Sequence, residues 1–238
     1  MGIAERRERE KSMRRQSILS CARELIVSQG VERVSMEDIA QKAELSKTTL
    51  YLYFPSKEVI FNEICEESAR GFLEYFSRQT QPDNGVFGGL TGIDALRHLW
   101  RSYVKLFGNS DEMMVIFQIR NFLSSWPSSG GYDEGGDGDK DSIASKSPHV
   151  AAIAKAISTM IEQCKAEGTF DPSLNSFTAV RLVFMVFSTI MQNAVRLEQE
   201  DRNSPAMIRE MTDTFQIIIR GFAKEGVEHS RLDISCPM

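Results

Sequence analysis

Apolar residues recur along most of the chain at intervals of three and four, the spacing of one helical face. Strict two-residue alternation is absent, and no turn dipeptide sits between alternating apolar runs. Ile18, Leu19, Ala22, Leu25 and Ile26 form one such stripe and predict a first helix over 13–29, stopped by Gly30. Ser35, with Asp38 three residues on, makes a capping box that carries Asp in place of Glu or Gln. Ile39, Ala40 and Ala43 give that second, short helix its inner face. After the turn Glu44-Leu45-Ser46, Ser46 caps a third helix from Lys47 to about Phe54, which Pro55 ends. A long fourth helix over 57–79 is closed by Pro82 and followed by a glycine-rich loop, "PDNGVFGGLTG". Further helices are predicted over 93–107, 111–126, 150–167, 172–200 and 205–226. The expected fold class is all-α, with about nine helices.

Two of the late helices carry more apolar surface than one face requires. The stretch "SFTAVRLVFMVFSTIMQNAV" is apolar nearly all round, so it needs cover on several sides. The last helix carries a seam of Met207, Met211, Phe215, Ile218 and Phe222, suited to contact with another helix. The pair is expected to form half of a four-helix bundle in a homodimer; the alternative is burial within their own subunit. Between the middle helices, 127–148 is rich in Gly, Ser and Asp and is expected as a mobile loop. Its "DGDKD" run lacks the twelve-residue ligand spacing of a calcium loop, and no metal is expected. The predicted division is a disordered arm at 1–12, a small domain at 13–56, and a large helical domain at 57–238.

Charge separates the two ends. The net charge of −5 is uneven: residues 1–57 hold 11 Lys/Arg against 8 Asp/Glu, and residues 58–238 hold 17 against 25. A basic front on an acidic body suggests an anionic partner for the front alone. The start, "MGIAERRERE", lacks the apolar stretch of a signal peptide, and Arg6 stands where a myristoylation signal needs Ser or Thr. The longest apolar run, 179–191, is too short to span a bilayer and contains Arg181, so no membrane role is expected. Cys21, Cys65, Cys164 and Cys236 form no CxxC, which suits a reduced, cytoplasmic setting. The three histidines, His98, His149 and His229, stand beside no GxSxG, HExxH or P-loop motif, so an enzyme has little support and no cofactor is expected.

Two short helices joined by a three-residue turn and braced by a longer one make a helix-turn-helix, whose second helix enters a major groove. Leu50 and Phe54, four apart, face inward; Lys47, Thr48, Tyr51 and Leu52 project elsewhere. Phenols, hydroxyls and lysines are groups that bond phosphate oxygens. The stretch "GVERVSMEDIAQKAELSKTTLYLYFPSKEVIFNEI" resembles the DNA-binding region of the TetR family of transcriptional regulators, above all in "SMEDIAQKA" and "LYLYFPSKE". The resemblance covers about 17–64. It implies that Ser35, Thr49, Tyr51, Tyr53 and Lys57 bond phosphates. Lys47 and Thr48 would lie nearest the bases, with Leu52 able to touch a thymine methyl. Leu50 and Phe54 would be structural. Glu44-Leu45 departs from the glycine and small aliphatic common in that turn. Arg14 and Arg15 either reach the DNA or belong to a solvated tail.

The same resemblance implies a homodimeric repressor that holds a palindromic operator and is released by a small-molecule effector bound in the C-terminal domain. Candidate pocket residues are Trp100, Tyr103, Phe107, Phe117, Phe122 and Met185, with Arg120 available to an anionic effector. Aromatics at helical spacing serve a plain core equally well. The alternative is a ligand-independent DNA-binding or protein-interaction module of the same fold.

Overall fold

The computed structural model describes residues 2–31, 33–79, 89–107, 148–194 and 204–234. Its regular structure is helical: α1 Ile3–Gln29, α2 Met36–Lys42, α3 Lys47–Tyr53, α4 Lys57–Gln79, α5 Gly92–Phe107, α6 Pro148–Ala166, α7 Ser176–Ala194 and α8 Pro205–Gly221, then a 3-10 turn at His229–Leu232. The chain divides into two units, residues 1–67 and 68–238, with the boundary inside α4. The helix expected over 111–126, and nearly all of the loop expected over 127–148, lie outside the described residues.

In the first unit four helices share one core. Ile18, Leu19, Ala22 and Ile26 of α1 are buried, with Met36, Ile39 and Ala40 of α2, Leu50 of α3, Phe54 just beyond it, and Ile60, Phe61, Ile64 and Cys65 of α4. Each of the large side chains contributes roughly 1.5–3 kcal/mol by leaving water. The unit extends to Glu67, past the expected boundary at 56, because ionic contacts as well as packing join α1 to α4. Arg15 pairs with Glu63, and Gln16 and Arg23 both donate to Glu67.

The segment expected as a disordered arm is drawn into α1, which begins ten residues before the expected start at Met13. No Gly or Pro interrupts 3–29, and straight-chain charged residues favour helix. Glu5 accepts the Gly2 N–H at 3.0 Å, and Arg6 pairs with Glu10 one turn on at 2.9 Å.

In the second unit α5 packs on α6, and α7 packs on both α6 and α8. The close approach of α5 to α6 requires Gly92: a Cβ there would stand 2.6 Å from Cys164 Sγ, 2.7 Å from its backbone N and 2.9 Å from Met160 O. Trp100 of α5 stacks on Phe215 of α8 with ring centroids 5.0 Å apart. α8 stops at Gly221 rather than the expected Gly226, because the backbone there pairs with a distant segment. Asp171 N–H donates to Phe222 O at 3.0 Å, and Lys224 N–H donates to Thr169 O at 3.1 Å. The chain end is then sewn down by buried Gln216, whose amide donates to Leu232 O and accepts from Ile234 N–H, both at 2.9 Å.

Four of the five residues of the expected dimer seam on α8, Met211, Phe215, Ile218 and Phe222, are buried inside the subunit, and Met207 is half-buried. Among the described residues of these two helices, the large apolar side chains facing outward are Leu182 and Met185 on α7 and Ile217 on α8.

Candidate nucleic-acid interface

The turn between α2 and α3 is set by two backbone hydrogen bonds. Leu45 N–H reaches back to Ala40 O at 2.9 Å, and Glu44 N–H to Gln41 O at 3.1 Å. This is the Schellman pattern, which requires a left-handed residue between the helix and the exit strand of chain. Glu44 fills that position at φ 54°, where the sequence departs from the expected glycine. Ser46 then takes over as cap: its Oγ accepts the Thr49 N–H at 3.1 Å and lies 2.7 Å from the Thr49 hydroxyl.

α3 is seated by Leu50 and Phe54, both with no exposed surface. Arg15 of α1 completes the seat. Its guanidinium lies 4.0 Å from the Phe54 ring centroid, donates to Tyr53 O at 2.7 Å, and forks onto both carboxylate oxygens of Glu63. A planar five-donor fork suits this arrangement; an ammonium would not match it. Arg15 is therefore not a solvated tail residue: three of its five donors are committed to the seat of α3. Nothing local in the sequence marks this role, since the partners lie 38 and 48 residues away.

On the opposite side of α3 the side chains stand in solvent. Leu52 is 78% exposed and Tyr51 45% exposed, and Lys47 and Thr48 are exposed beside them. Tyr53 is half-buried. Lys57 is half-buried too, donating to Val34 O at 3.3 Å and so tying the start of α4 to the loop before α2. Two of its three donors remain for another partner. Ser35 is more constrained. Its hydroxyl donates to Asp38 Oδ2 at 2.6 Å while accepting the Asp38 N–H at 3.2 Å, so its single donor already belongs to the capping box. Those bonds from Ser35 hold the Asp38 carboxyl below its ordinary pKa. Lys47 Nζ donates to Glu37 Oε1 in the first turn of α2, which raises the ammonium's pKa.

Residues 18–64 match the family described as bacterial regulatory proteins, tetR family. Over that segment the chain is similar to tetR-family regulators. The structure also resembles solved regulators along most of its length. The ketosteroid transcriptional regulator KstR2 of Mycobacterium tuberculosis is 16% identical, with 89% of this chain and 96% of that one covered at a TM-score of 0.56. FadR of Thermus thermophilus, a TetR-family transcriptional repressor solved with lauroyl-CoA, is 15% identical, with 90% and 97% covered and a TM-score of 0.54. The fatty acid degradation regulator FadR from Bacillus halodurans is 16% identical, with 82% and 90% covered and a TM-score of 0.54. At such identities the likeness is one of fold. No curated protein sequence matches the chain. The matched family and the three neighbours named here are all described as regulators.

The second unit holds the residues expected around an effector. Trp100 is buried, stacked between Phe215 and Tyr103, whose centroid is 5.5 Å away. Burial pushes the Tyr103 phenol well above its ordinary pKa, so it stays neutral. Met185, expected inside, is 53% exposed on α7. α7 has a full outer face, Thr178, Leu182, Met185 and Thr189, and Met185 belongs to it. Phe117, Arg120, Phe122 and the Phe107 side chain lie outside the described residues. A groove of about 460 Å³ opens elsewhere, lined by Thr91, Ile93, Arg97, Glu167, Thr169 and Arg231. Of the expected pocket residues that are described, Trp100, Tyr103 and Met185, none borders it. Among the described residues no helix is long and apolar enough to cross a membrane.

Proposed function

We propose that the protein is a homodimeric repressor that grips a palindromic duplex operator through α2 and α3 and lets go when a small molecule binds the second unit. The observation that carries the DNA-binding reading is the two-sidedness of α3. Leu50 and Phe54 are wholly buried, while Lys47, Thr48, Tyr51 and Leu52 face solvent on a short helix held by caps at its start. In this reading Lys47 and Thr48 meet base edges and Leu52 meets a thymine methyl. Thr49, Tyr51, Tyr53 and Lys57 take phosphates. Ser35 joins them only by exchanging its bond to Asp38.

Dimerisation through α7 and α8 is supported by Leu182, Met185 and Ile217, which are 43%, 53% and 70% exposed. A lipophilic effector is supported by the company the fold keeps: one fold neighbour is described as a ketosteroid transcriptional regulator and another was solved with lauroyl-CoA. Such a ligand releases DNA only as far as it prefers the unbound arrangement of the protein over the DNA-bound one. The protein would work in the cytoplasm, where its operator lies.

The test is binding to a duplex selected from a random pool, followed by fluorescence anisotropy at several salt concentrations. Lys57→Ala should weaken binding to every sequence and lower the salt slope by about 1, the signature of one lost phosphate contact. Tyr51→Phe should also weaken binding uniformly. Lys47→Ala should instead change which bases are preferred. Wild-type protein that ignores all duplexes at low salt would remove the reading.

A further inference from the structure

α1 carries a length of helix that the core of the head does not use. Every side chain from Ala4 to Arg14 is exposed, and the first residues of α1 in the core are Ile18 and Leu19. At about 1.5 Å per residue the exposed segment is about 16 Å long. Residues 3–14 hold five Lys/Arg against three Asp/Glu, and their placement is uneven. Arg7, Lys11 and Arg14 stand at i, i+4 and i+7, on one face of the helix, with Arg6 and Arg9 on the other side. Two of the carboxylates are engaged: Glu5 accepts the Gly2 N–H, and Glu10 pairs with Arg6. Among the described residues, Arg7, Lys11 and Arg14 make no hydrogen bond or ion pair.

The packed part of α1 fixes where this row faces. Ile18, four residues after Arg14 on the same face, is wholly buried, so the row continues the side of α1 that turns toward α2, α3 and α4. Arg15, the chain neighbour of Arg14, donates to Tyr53 O at 2.7 Å and covers the Phe54 ring at 4.0 Å. The row therefore leaves the head at the end of α3. Three unpaired cations over about 10 Å of axis suit a rod that carries one negative charge about every 1.7 Å. They need no particular base, because phosphates are the same under every sequence. We propose that the exposed start of α1 is a second DNA-contacting element: Arg7, Lys11 and Arg14 grip phosphates of the duplex that flanks the part met by α3. This rests on the reading that α3 enters a major groove.

The experiment uses the full chain and two duplexes. One is trimmed to a single selected half-site; the other adds about five base pairs of arbitrary sequence at each end, the reach of a 16 Å rod at about 3.4 Å per pair. Wild type should bind the extended duplex more tightly and with a steeper salt slope. Arg7→Gln with Lys11→Gln should flatten that slope by about 1.8 per bound head, and adding Arg14→Gln by about 2.7, at about 0.9 for each phosphate contact. On the trimmed duplex these variants should behave as wild type does. Arg6→Gln with Arg9→Gln supplies the control: it removes the same charge from the other side of the same segment and should leave both slopes nearly unchanged. Base preference should stay that of wild type throughout. Row and control variants that behave alike would show that net charge is felt rather than the row, and that overturns the proposal. Wild type that binds both duplexes equally leaves the segment a solvated helix only, and overturns it as well. Wild type that ignores every duplex at low salt is a separate failure, that of the DNA-binding reading itself. Thermal melts of all variants should match wild type, since the substituted side chains of the row make no bond within the head.

Discussion

Glu44 occupies the left-handed region at φ 54°, the conformation that the Schellman turn demands and that a Cβ resists. Glycine removes a conformational cost of roughly 1–2 kcal/mol there and returns about 0.5–1 kcal/mol through its freer unfolded chain. Glu44→Gly is therefore expected to raise stability by up to about 1 kcal/mol, and Glu44→Val to lower it, in urea melts. A melt in which Val and Gly behave alike would show that the turn does not require φ above zero. Arg15 makes the converse case. Lys in its place keeps the charge but loses the fork onto Glu63, the bond to Tyr53 O and the planar contact with Phe54. Arg15→Lys should destabilise the head by about 1–2 kcal/mol, in the range for a charged hydrogen bond, and weaken DNA binding by loosening the seat of α3. Unchanged stability would demote Arg15 to an ordinary surface ion pair.

Each helix of the head has its own means of stopping and starting, and the ones coded locally were legible in the sequence. Ser35 and Ser46 sit at the caps of α2 and α3, so those two helices fall within a residue of their expected limits. The start of α1 was not legible, because a run of charges without an apolar stripe gives no periodicity to follow. The end of α8 was hidden for another reason: backbone pairing with 169–171 stops it, and that partner lies some fifty residues upstream. The candidate interface divides the same way. The outward position of Lys47, Tyr51 and Leu52 followed from the inward pair Leu50 and Phe54. The Glu37–Lys47 and Arg15–Glu63 contacts join different helices and left no local mark. At the start of α2 the cap also makes a pH prediction. The Asp38 carboxyl, bonded by Ser35, has a folded pKa below its ordinary 3.8, so its contribution is fully present above that value and lost as pH falls through the lower folded value. Ser35→Ala should cost about 1 kcal/mol near neutrality and flatten the acid limb of the stability curve below pH 4. An acid limb as steep as wild type would place the sensitivity elsewhere. In the second unit, Gly92→Ala drives a methyl against the Cys164 and Met160 backbone, and a loss of roughly 1–3 kcal/mol is expected.

For the molecule as a whole, the question is what covers the outer face of α7. Leu182 and Met185 stand one turn apart on it, and Ile217 stands on α8 between Asp213 and Arg220. Scattered exposed apolar residues are normal on a monomer. These are large, lie on two helices that pack together, and belong to a chain whose operator reading calls for two heads. A two-fold contact would bury the same face on both copies and set two copies of α3 against half-sites about 34–36 Å apart. The double substitution Leu182→Glu and Ile217→Glu places four carboxylates in such an interface and none in the head. Sedimentation should then show a monomer at micromolar concentration, while thermal melts of the head stay as they were. Affinity for the full operator should fall by roughly 10²–10⁴-fold, the loss of avidity when two linked heads become two separate ones. Affinity for a single half-site should hardly change, because each head keeps its own contacts. That contrast separates a broken interface from a damaged reader. A variant that stays dimeric, or a monomer that still binds the full operator tightly, would mean that the face of α7 and α8 serves something other than pairing the heads.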